Sequence, residues 1–361
     1  MKIFARCFTV FVPLLCSIGI SAQQAPLTQP SAGGVSLDVV VTPKSGPPES
    51  GLEQKDFTVL DDKVPQTLTA FQAVDGRQAP IEVILLIDAV NIDYPSVAYE
   101  REQIDTFLRA DKGRLAHPTA LAVLTDAGLQ FQPGFSTDGN VLSASLDQYT
   151  VGLRRIPPST AFYGAVERFQ LSLDALRQLA ARETPRPGRK LILWVSPGWP
   201  LLSGPEVELD AKQQQEFFDN IVNLSTALLQ ARITLYSLDP LGSAEAASSQ
   251  VSYWQNFLKG VSKPSQVKPG NLALEVLATQ SGGAALSSSN DITAMLRKCL
   301  SDTRAYYEVS FDPPLNANRD EYHRLEIKLT DSRLTARTRT GYYAHPDLKE
   351  FRKVPLVESA P

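Results

Sequence analysis

Four apolar runs of the chain each end on a polar residue that is able to bind a ligand. The runs are IEVILLID, TALAVLTD, KLILWVS and ITLYSLD, and they end at Asp88, Asp126, Ser196 and Asp239. Continuous runs rich in β-branched residues are typical of strands buried on both faces of a parallel sheet. Ligands of such sheets bind beyond the carboxyl ends of the strands, where the strand order reverses. We therefore expect any chemistry of this chain at these strand ends.

Nucleotide binding and serine hydrolysis are not supported by the residues available. The loop after Asp88 is AVNIDYPS, with no glycine to let a phosphate approach the backbone, and the sequence contains no P-loop. No serine is framed as Gly-x-Ser-x-Gly. The three histidines are His117, His323 and His345, and we expect all of them at the surface. Together with Cys299 they make no zinc ligand set.

Helical patterns lie between the strand runs. Apolar residues recur at intervals of three and four over residues 162–180 and 217–228, and a further helix is predicted at 97–110. Strands alternating with helices predict an α/β fold with a doubly wound, mostly parallel sheet. We assign this domain to residues 79–303.

Both flanks of the α/β domain have the alternating pattern of half-buried strands. The N-terminal β segment, 35–78, contains VSLDVVVTPKSG and DFTVLDDKVPQTLTAF. The C-terminal β segment, 304–345, contains AYYEVSFDPP, EYHRLEIKLT and TARTRTGYYA. Each segment is too small to bury a face alone. We therefore predict one small β-sandwich-like module that is built from both chain ends, with the α/β domain inserted in it.

The start of the chain has the pattern of a secretory signal peptide. Within residues 1–22, Lys2 and Arg6 precede a mostly apolar run that ends in small residues. The run is short for a membrane span, which needs about 20 apolar residues. We expect a mature chain that is secreted or held in the periplasm or cell envelope, without membrane insertion. Residues 23–34 predict a flexible linker and residues 346–361 a flexible tail.

The composition is that of an ordinary globular protein, 43% hydrophobic and 20% charged. The net charge is −4, and without the two basic residues of the signal peptide 33 basic residues face 39 acidic ones, a net charge of −6. The chain has no basic block, which argues against nucleic acid or an anionic membrane as a partner. Cys299 is the single cysteine left after export, so we expect a buried thiol and a fold held by packing.

Several of these segments together resemble a known family. IEVILLIDAVN, PPSTAFYGAVERF, KLILWVSPGWP and ITLYSLDP are similar to the von Willebrand factor type A domain. The flanking LEQKDFTVLDDKVPQTLTAFQ and RTRTGYYA resemble the von Willebrand A-related family of secreted acidobacterial proteins. The resemblance covers roughly residues 36–345, and it rests on the order and spacing of the motifs.

The resemblance implies a metal-ion-dependent adhesion site. Its pattern is Asp-x-Ser-x-Ser after the first strand, a Thr before a later helix and an Asp after the fourth strand. Asp88 matches the first Asp, and Thr160 in PPSTAFYGA matches the Thr. Val90 and Ile92 stand where the two serines belong, and Ser196 is followed by proline where the final Asp belongs. The first Asp and the Thr are thus kept, and the other ligands are not.

The lost ligands decide what we expect of a metal. Magnesium takes about six oxygen ligands and calcium takes more, whereas Asp88 and Thr160 supply two. Asn91 and Asp93 carry further oxygens but lie off the pattern. We expect Asp88 to accept hydrogen bonds from loop amides and Thr160 to cap the next helix, with no cofactor bound. A weak magnesium or calcium site at Asp88, Asn91 and Thr160 is the alternative.

The resemblance also implies protein–protein interaction or adhesion. We therefore predict a secreted, non-enzymatic binding protein whose partner is another protein. The loop SPGWPLLSGPE, residues 196–206, should emerge at the ligand-binding edge of the sheet. It carries Trp199, Leu201 and Leu202, which we predict to contact the partner, because tryptophan is a favoured interface anchor. In the competing interpretation Trp199 folds back as a lid over the vacated metal site.

Two other functions stay open at the level of the sequence. One is an envelope-associated hydrolase, or an enzyme subunit, that uses carboxylates at the carboxyl edge of the sheet. The residues argue against it, because the sequence has no catalytic triad, phosphate loop or zinc ligand set. The other is a structural scaffold whose sheet edge recruits a neighbouring protein.

Overall fold

The computed structural model describes residues 34–92, 94–148, 161–200, 208–240, 253–287, 289–314 and 318–344. The predicted signal peptide, the predicted tail and all but the last residue of the predicted linker lie outside these ranges.

The strands and helices follow one another in the order that the sequence patterns predict, with additions. The strands are β1 (Val35–Pro43), β2 (Phe57–Asp61), β3 (Val64–Pro65), β4 (Leu68–Asp75), β5 (Ile81–Asp88), β6 (Arg114–Thr125), β7 (Gly128–Phe131), β8 (Ser136–Asp138), β9 (Arg189–Val195), β10 (Ile233–Leu238), β11 (Ala285–Leu286), β12 (Ala305–Phe311), β13 (Tyr322–Leu329), β14 (Leu334–Arg337) and β15 (Gly341–Tyr343). The helices are α1 (Tyr94–Arg109), α2 (Gly139–Gln148), α3 (Ala161–Glu183), α4 (Ala211–Gln230), α5 (Leu274–Gln280) and α6 (Ile292–Ser301).

The central sheet is mostly parallel, as predicted. Among the described residues it has seven strands, in the order β11-β10-β9-β5-β6-β7, with β8 also paired to β6. The pairs β5–β6, β5–β9, β9–β10 and β10–β11 are parallel, whereas β7 and β8 run antiparallel to β6. After β5 the chain adds β6 on one side and later returns to add β9 on the other. The strand order therefore reverses at the β5–β9 pair.

Helices cover both faces of this sheet. Ile84 and Leu86 of β5 belong to a core with α3, α4 and α5, whereas Val83 and Leu85 belong to a core with α1, α2 and α6. The sheet is therefore doubly wound. Cys299 lies in the second core, where burial raises the pKa of its thiol, so the expectation of a buried cysteine is confirmed. Within the described residues, no helix has the length and apolarity needed to cross a membrane.

The antiparallel edge of the sheet was not predicted. β6 turns back into β7 through a tight hairpin, with Thr125 opposite Gly128. Gly128 has φ +100°, a conformation that L side chains rarely adopt. Asp126 therefore lies in this hairpin turn, and the crevice at the reversal point is formed without it. The run of apolar residues up to Thr125 hid the turn, because a short β7 carries little pattern of its own.

The two β segments form two antiparallel sheets that face each other. One sheet has the order β14-β1-β12-β4, and the other has the order β15-β13-β2-β3. Each sheet contains strands from both chain ends, so neither segment has a complete sheet by itself. The core between the sheets includes Leu37, Val59 and Val309. Phe57 packs against Tyr307 and Phe71 there, at ring-centroid distances of 4.9 and 5.2 Å. We refer to these two sheets as the β module.

A charged cluster joins the β module to the α/β domain. Arg232 follows α4 and adopts φ +53°. Its Nη2 contacts Asp38 Oδ1 at 2.5 Å and Glu308 Oε1 at 2.6 Å, one acid from each chain end. Burial lowers the pKa of Arg232, but the two carboxylates more than offset this, and the net shift is upward. The guanidinium therefore stays charged and holds β1, β12 and the α/β domain together.

We predict that Arg232→Gln destabilises the protein by about 1–3 kcal/mol, because it leaves two partly buried carboxylates without their cation. Urea unfolding of the variant and the wild type measures this. Arg77→Gln is the matched control, since Arg77 also pairs with an aspartate of the β module, Asp75, but is 86% exposed. An exposed pair contributes about 0–1 kcal/mol. Equal effects of the two substitutions would contradict a joining role for Arg232.

Candidate functional site

The reversal point of the central sheet brings two predicted residues together. β5 ends at Asp88, and Ser196 directly follows β9, its parallel neighbour. Ser196 Oγ donates to Asp88 Oδ2 at 2.9 Å. Both residues are fully buried. Asp239 follows β10, one strand further along the same edge. The carboxyl ends of β5, β9 and β10 thus form the site that sheet topology predicts.

Every oxygen of the Asp88 carboxylate is hydrogen-bonded. Oδ1 accepts the backbone N–H groups of Val90 and Asn91, both at 3.0 Å. Oδ2 accepts Asn91 Nδ2 at 2.8 Å, Trp194 Nε1 at 3.1 Å and Ser196 Oγ at 2.9 Å. A carboxylate offers about four lone-pair positions, so five donors saturate it. The two loop amides are the donors that the sequence predicted, and the indole of Trp194 is an additional one.

These bonds fix the loop that follows β5. The side chain of Asp88 bonds the amides two and three residues ahead, which is a self-contained turn. Asn91 extends the fixation to α3, because its Nδ2 also donates to Ser172 Oγ at 2.9 Å. The buried Asn91 Oδ1 has no hydrogen-bond partner in the described part of the chain. The loop is thus tied to β5, β9 and α3.

The residues described around Asp88 do not fit a hard cation. Magnesium and calcium need six or more oxygen ligands, and both Asp88 oxygens are already occupied by N–H and O–H donors. The side chains of Val90 and Ile92 pack against the two apolar cores instead of lining a polar cavity. Thr160 lies outside the described residues, so its predicted role at this site stays a prediction.

Trp199 is buried, which contradicts its prediction as an exposed partner anchor. It is 4% exposed and packs edge-on against Trp194 and Phe169, at ring-centroid distances of 5.2 and 6.4 Å. The chain turns at Gly198, with φ +101°, and this carries the indole back over the sheet. A Cβ at Gly198 would lie 2.3 Å from Glu275 Oε1, so a larger residue there would also have to displace the Glu275 side chain. The other two predicted contacts, Leu201 and Leu202, lie outside the described residues.

Two glutamates that the sequence patterns did not single out lie behind this edge. Glu100 of α1 is fully buried, and neither carboxylate oxygen has a hydrogen-bond partner in the described part of the chain. Burial raises its pKa well above the ordinary value, and nearby Asp88 and Asp239 add to the shift. Burial likewise raises the pKa of Glu275 to about 7, with a further contribution from Asp239. Two acids that hold a proton more tightly than usual thus lie close to the aspartates of this edge.

Neither described histidine is at the surface, contrary to prediction. His117 is 7% exposed, and its Nε2 shares a hydrogen bond of 2.8 Å with Thr303 Oγ1. His323 is also 7% exposed, and it faces Asp61 and Asp62 in the β module. The alternation in YHRLEIKL places His323 on the same face as the buried Leu325. Alternate residues of a strand share a face, so this pattern alone predicts that the His323 side chain is buried.

Comparisons with known proteins find solved structures that are similar only at low TM-score and low sequence identity. No protein-family model matches the chain, and no curated protein matches it. A single-residue mutant of the PilB minor pilin from Streptococcus sanguinis matches with a TM-score of 0.37 and 10% identity, covering 74% of this chain and 78% of that one. Manganese-loaded TRAP protein from Plasmodium vivax matches with a TM-score of 0.31 and 11% identity, covering 76% and 98%.

A von Willebrand factor type A protein from Catenulispora acidiphila is also among the similar structures. Its TM-score is 0.29 at 10% identity, and the match covers 88% of this chain and 76% of that one. Similarities at these scores carry no information about the activity, metal content or partner of this chain. The resemblance to the acidobacterial family stays a prediction.

We predict that Trp199→Ala destabilises the protein by about 3–5 kcal/mol, the usual cost of removing a buried tryptophan side chain. Chemical denaturation measures the effect. Val141→Ala is the control, because Val141 is 52% exposed on α2 and should change stability by less than about 0.5 kcal/mol. A Trp199 variant as stable as the Val141 variant would show that the indole is not packed in the core.

We predict that Glu100→Gln flattens the pH dependence of stability. Because the folded-state pKa of Glu100 lies above its unfolded value of about 4.5, the folded state holds a proton that the unfolded state releases. Stability therefore falls as pH rises from 4.5 towards the folded pKa. Glutamine cannot ionise, so the variant should gain several degrees in melting temperature at pH 8 and less at pH 5.

Glu102→Gln is the matched control for this measurement, since Glu102 is exposed on the same helix. Glu275, whose pKa is raised to about 7, contributes in the same direction in both variants. An unchanged difference in melting temperature between pH 5 and pH 8 in the Glu100 variant would contradict the assignment of a buried, protonated Glu100.

Proposed function

We propose that this chain is an exported, non-enzymatic protein-binding module that contacts its partner through loops at the carboxyl edge of the central sheet, without a bridging metal. The observation that carries the proposal is the saturation of Asp88 by five hydrogen-bond donors. A carboxylate held in this way is not free to act as a ligand, nucleophile or base. Asp88 instead holds in place the loop that follows β5 and the residues at the end of β9.

A rigid edge suits protein recognition. The loop after Asp88 is fixed by Asn91 to α3, and the start of the next loop is fixed by Ser196 and by the buried Trp199. Loops that are already ordered lose less conformational entropy when a partner binds. The contacting side chains of this proposal are Leu201 and Leu202, which follow directly after the fixed segment in sequence. Export is supported by the signal-peptide pattern at the start of the chain.

One observation favours a second function, a hydrolase based on carboxylates. Catalytic acid–base pairs consist of two titratable groups whose environments separate their pKa values. Glu275, with a pKa raised to about 7, lies close enough to Asp239 to be influenced by its charge. In this function Glu275 would be the general acid and Asp239 the neighbouring base. The binding function is preferred, because Gly198 lies directly against the Glu275 carboxyl group.

The test of the proposed function is a binding experiment with the mature chain as bait. Envelope proteins are captured by the wild type and by a Leu201→Ser/Leu202→Ser variant, each with magnesium and calcium present and again with chelator. We expect capture of a specific partner that the double variant loses and that the chelator leaves unchanged. Val64→Ser is the control variant, because Val64 is 59% exposed on β3 in the β module.

Two results would contradict the proposal. One is capture that requires magnesium or calcium, since this would show that a metal ion bridges the contact. The other is capture that the double variant retains in full. The hydrolase alternative predicts a different outcome, turnover of ester, phosphate or glycoside substrates by the wild type that Glu275→Gln abolishes.

A further inference from the structure

We propose that Asp61, Asp62 and His323 form a binding site for a divalent transition-metal ion, with zinc as the ion that fits best. The site lies in the β module, away from Asp88, and does not depend on the function proposed above.

Two strands and one turn bring the three side chains together. Asp61 ends β2, and Asp62 begins the turn to β3 with φ +47°. His323 lies on β13, which pairs antiparallel with β2 and places Leu325 opposite Asp61. His323 Nδ1 is 2.9 Å from Asp61 Oδ1 and 3.6 Å from Asp62 Oδ2. One ligand atom from each residue lies within 4.8 Å of the other two.

This spacing suits tetrahedral zinc. Zinc–nitrogen and zinc–oxygen bonds of about 2.0–2.2 Å in a tetrahedron place ligand atoms roughly 3.3–3.6 Å apart. The separation between His323 Nδ1 and Asp62 Oδ2, 3.6 Å, lies at the upper end of that range, whereas the 2.9 Å between Nδ1 and Asp61 Oδ1 is a hydrogen bond that a bound ion would replace and widen slightly. An imidazole with two carboxylates is also a donor set that zinc accepts, whereas magnesium and calcium favour oxygen ligands alone.

The remaining carboxylate oxygens are held by other donors. Tyr342 Oη donates to Asp61 Oδ2 at 2.7 Å, and the backbone N–H of Arg324 donates to Asp62 Oδ1 at 3.1 Å. Each aspartate therefore turns its other oxygen towards the imidazole. The ring of Tyr342 also stacks on His323 at a centroid distance of 5.0 Å, which fixes the imidazole plane. Outer contacts of this kind are what orient the ligands of metal sites.

The charge of the cluster favours a cation. The side chain of Asp61 is 1% exposed, and a buried carboxylate is costly unless its charge is compensated. Within the described residues, neither Asp61 nor Asp62 has a lysine or arginine nitrogen within 4.0 Å; their ion-pair contacts are to His323. The alternative is a metal-free cluster in which a proton on His323 Nδ1 makes the 2.9 Å hydrogen bond to Asp61 Oδ1. A metal ion on Nδ1 would displace that proton, so the two states exclude each other.

Three protein ligands leave the fourth zinc position open. Asp62 is 54% exposed, so the cluster is in contact with solvent, and a water or a donor group from another molecule would complete the four ligands. Closed structural zinc sites use four protein ligands, and open sites keep one exchangeable position. We therefore infer an exchangeable ion, bound after folding, and not an ion on which folding depends.

The experiment uses the untagged mature chain, freed of metal by chelation and dialysis. Calorimetry with zinc should give one equivalent bound with low-micromolar affinity or better, and cobalt should give the intense visible absorption of a tetrahedral site. Magnesium and calcium should give no comparable signal. Asp62→Asn and His323→Gln should each weaken zinc binding at least tenfold. Asp331→Asn, at an exposed turn of the same module, should not change it.

The outcomes separate the two states of the cluster. The absence of stoichiometric zinc binding by the wild type would leave the cluster as a hydrogen-bonded His323–Asp61 pair and overturn the proposal. Zinc binding that both Asp62→Asn and His323→Gln leave unchanged would place the ion elsewhere, with the same result. Should His323→Gln fail to fold, Asp62→Asn decides alone, because Asp62 is exposed in a turn. Partner capture is not measured here, so this result is independent of the binding function.

Discussion

The arrangement of the sheet edge depends on one buried carboxylate. Asp88 has no exposed surface, and a charge in such a place is unstable unless donors surround it. Its donors come from its own loop, from β9 through Trp194 and from Ser196. Satisfying Asp88 therefore sets the path of both loops that leave the central strands. The same requirement explains why Trp194 presents its indole N–H to the sheet edge while its ring packs beneath Trp199.

A second constraint acts on the whole chain. The strands of each β-module sheet come from segments that are far apart in sequence, for example Val35 opposite Phe311. Such pairing forms only when the intervening domain brings its two ends together, and closing a long loop costs entropy. The ion pairs of Arg232 offset part of this entropy cost, because Arg232 contacts an acid from each chain end. Arg232 therefore connects both chain ends of the β module to the residue that follows α4.

The sequence predicted the sheet and its two flanks, because periodicity reports burial directly. Strands such as β5, and the amide bonds to Asp88, followed from the pattern. The hairpin at Gly128 did not, and the fold-back of Trp199 was predicted only as the competing interpretation, since each depends on one backbone conformation that leaves no periodic trace. Glu100 was missed because α1 is rich in charged residues, although its position three residues after Val97 and four before Ile104 places it on the buried face of the helix.

The buried acids of this protein are accommodated in three different ways. Asp88 is satisfied by the five donors that surround it. Glu100 has no donors among the described residues, and burial raises its pKa, so it holds a proton more tightly than an exposed glutamate does. Asp61 has neither a full set of donors nor an arginine or lysine from the described part of the chain, and it shares its charge with Asp62 and His323. Counting only histidine and cysteine as zinc ligands overlooked this group. Asp61 has two donors, Tyr342 and His323, but no lysine or arginine in the described part of the chain, so a cation held jointly with Asp62 and His323 would balance its charge. That requirement points to the β module, away from the sheet edge where the sequence motifs directed attention.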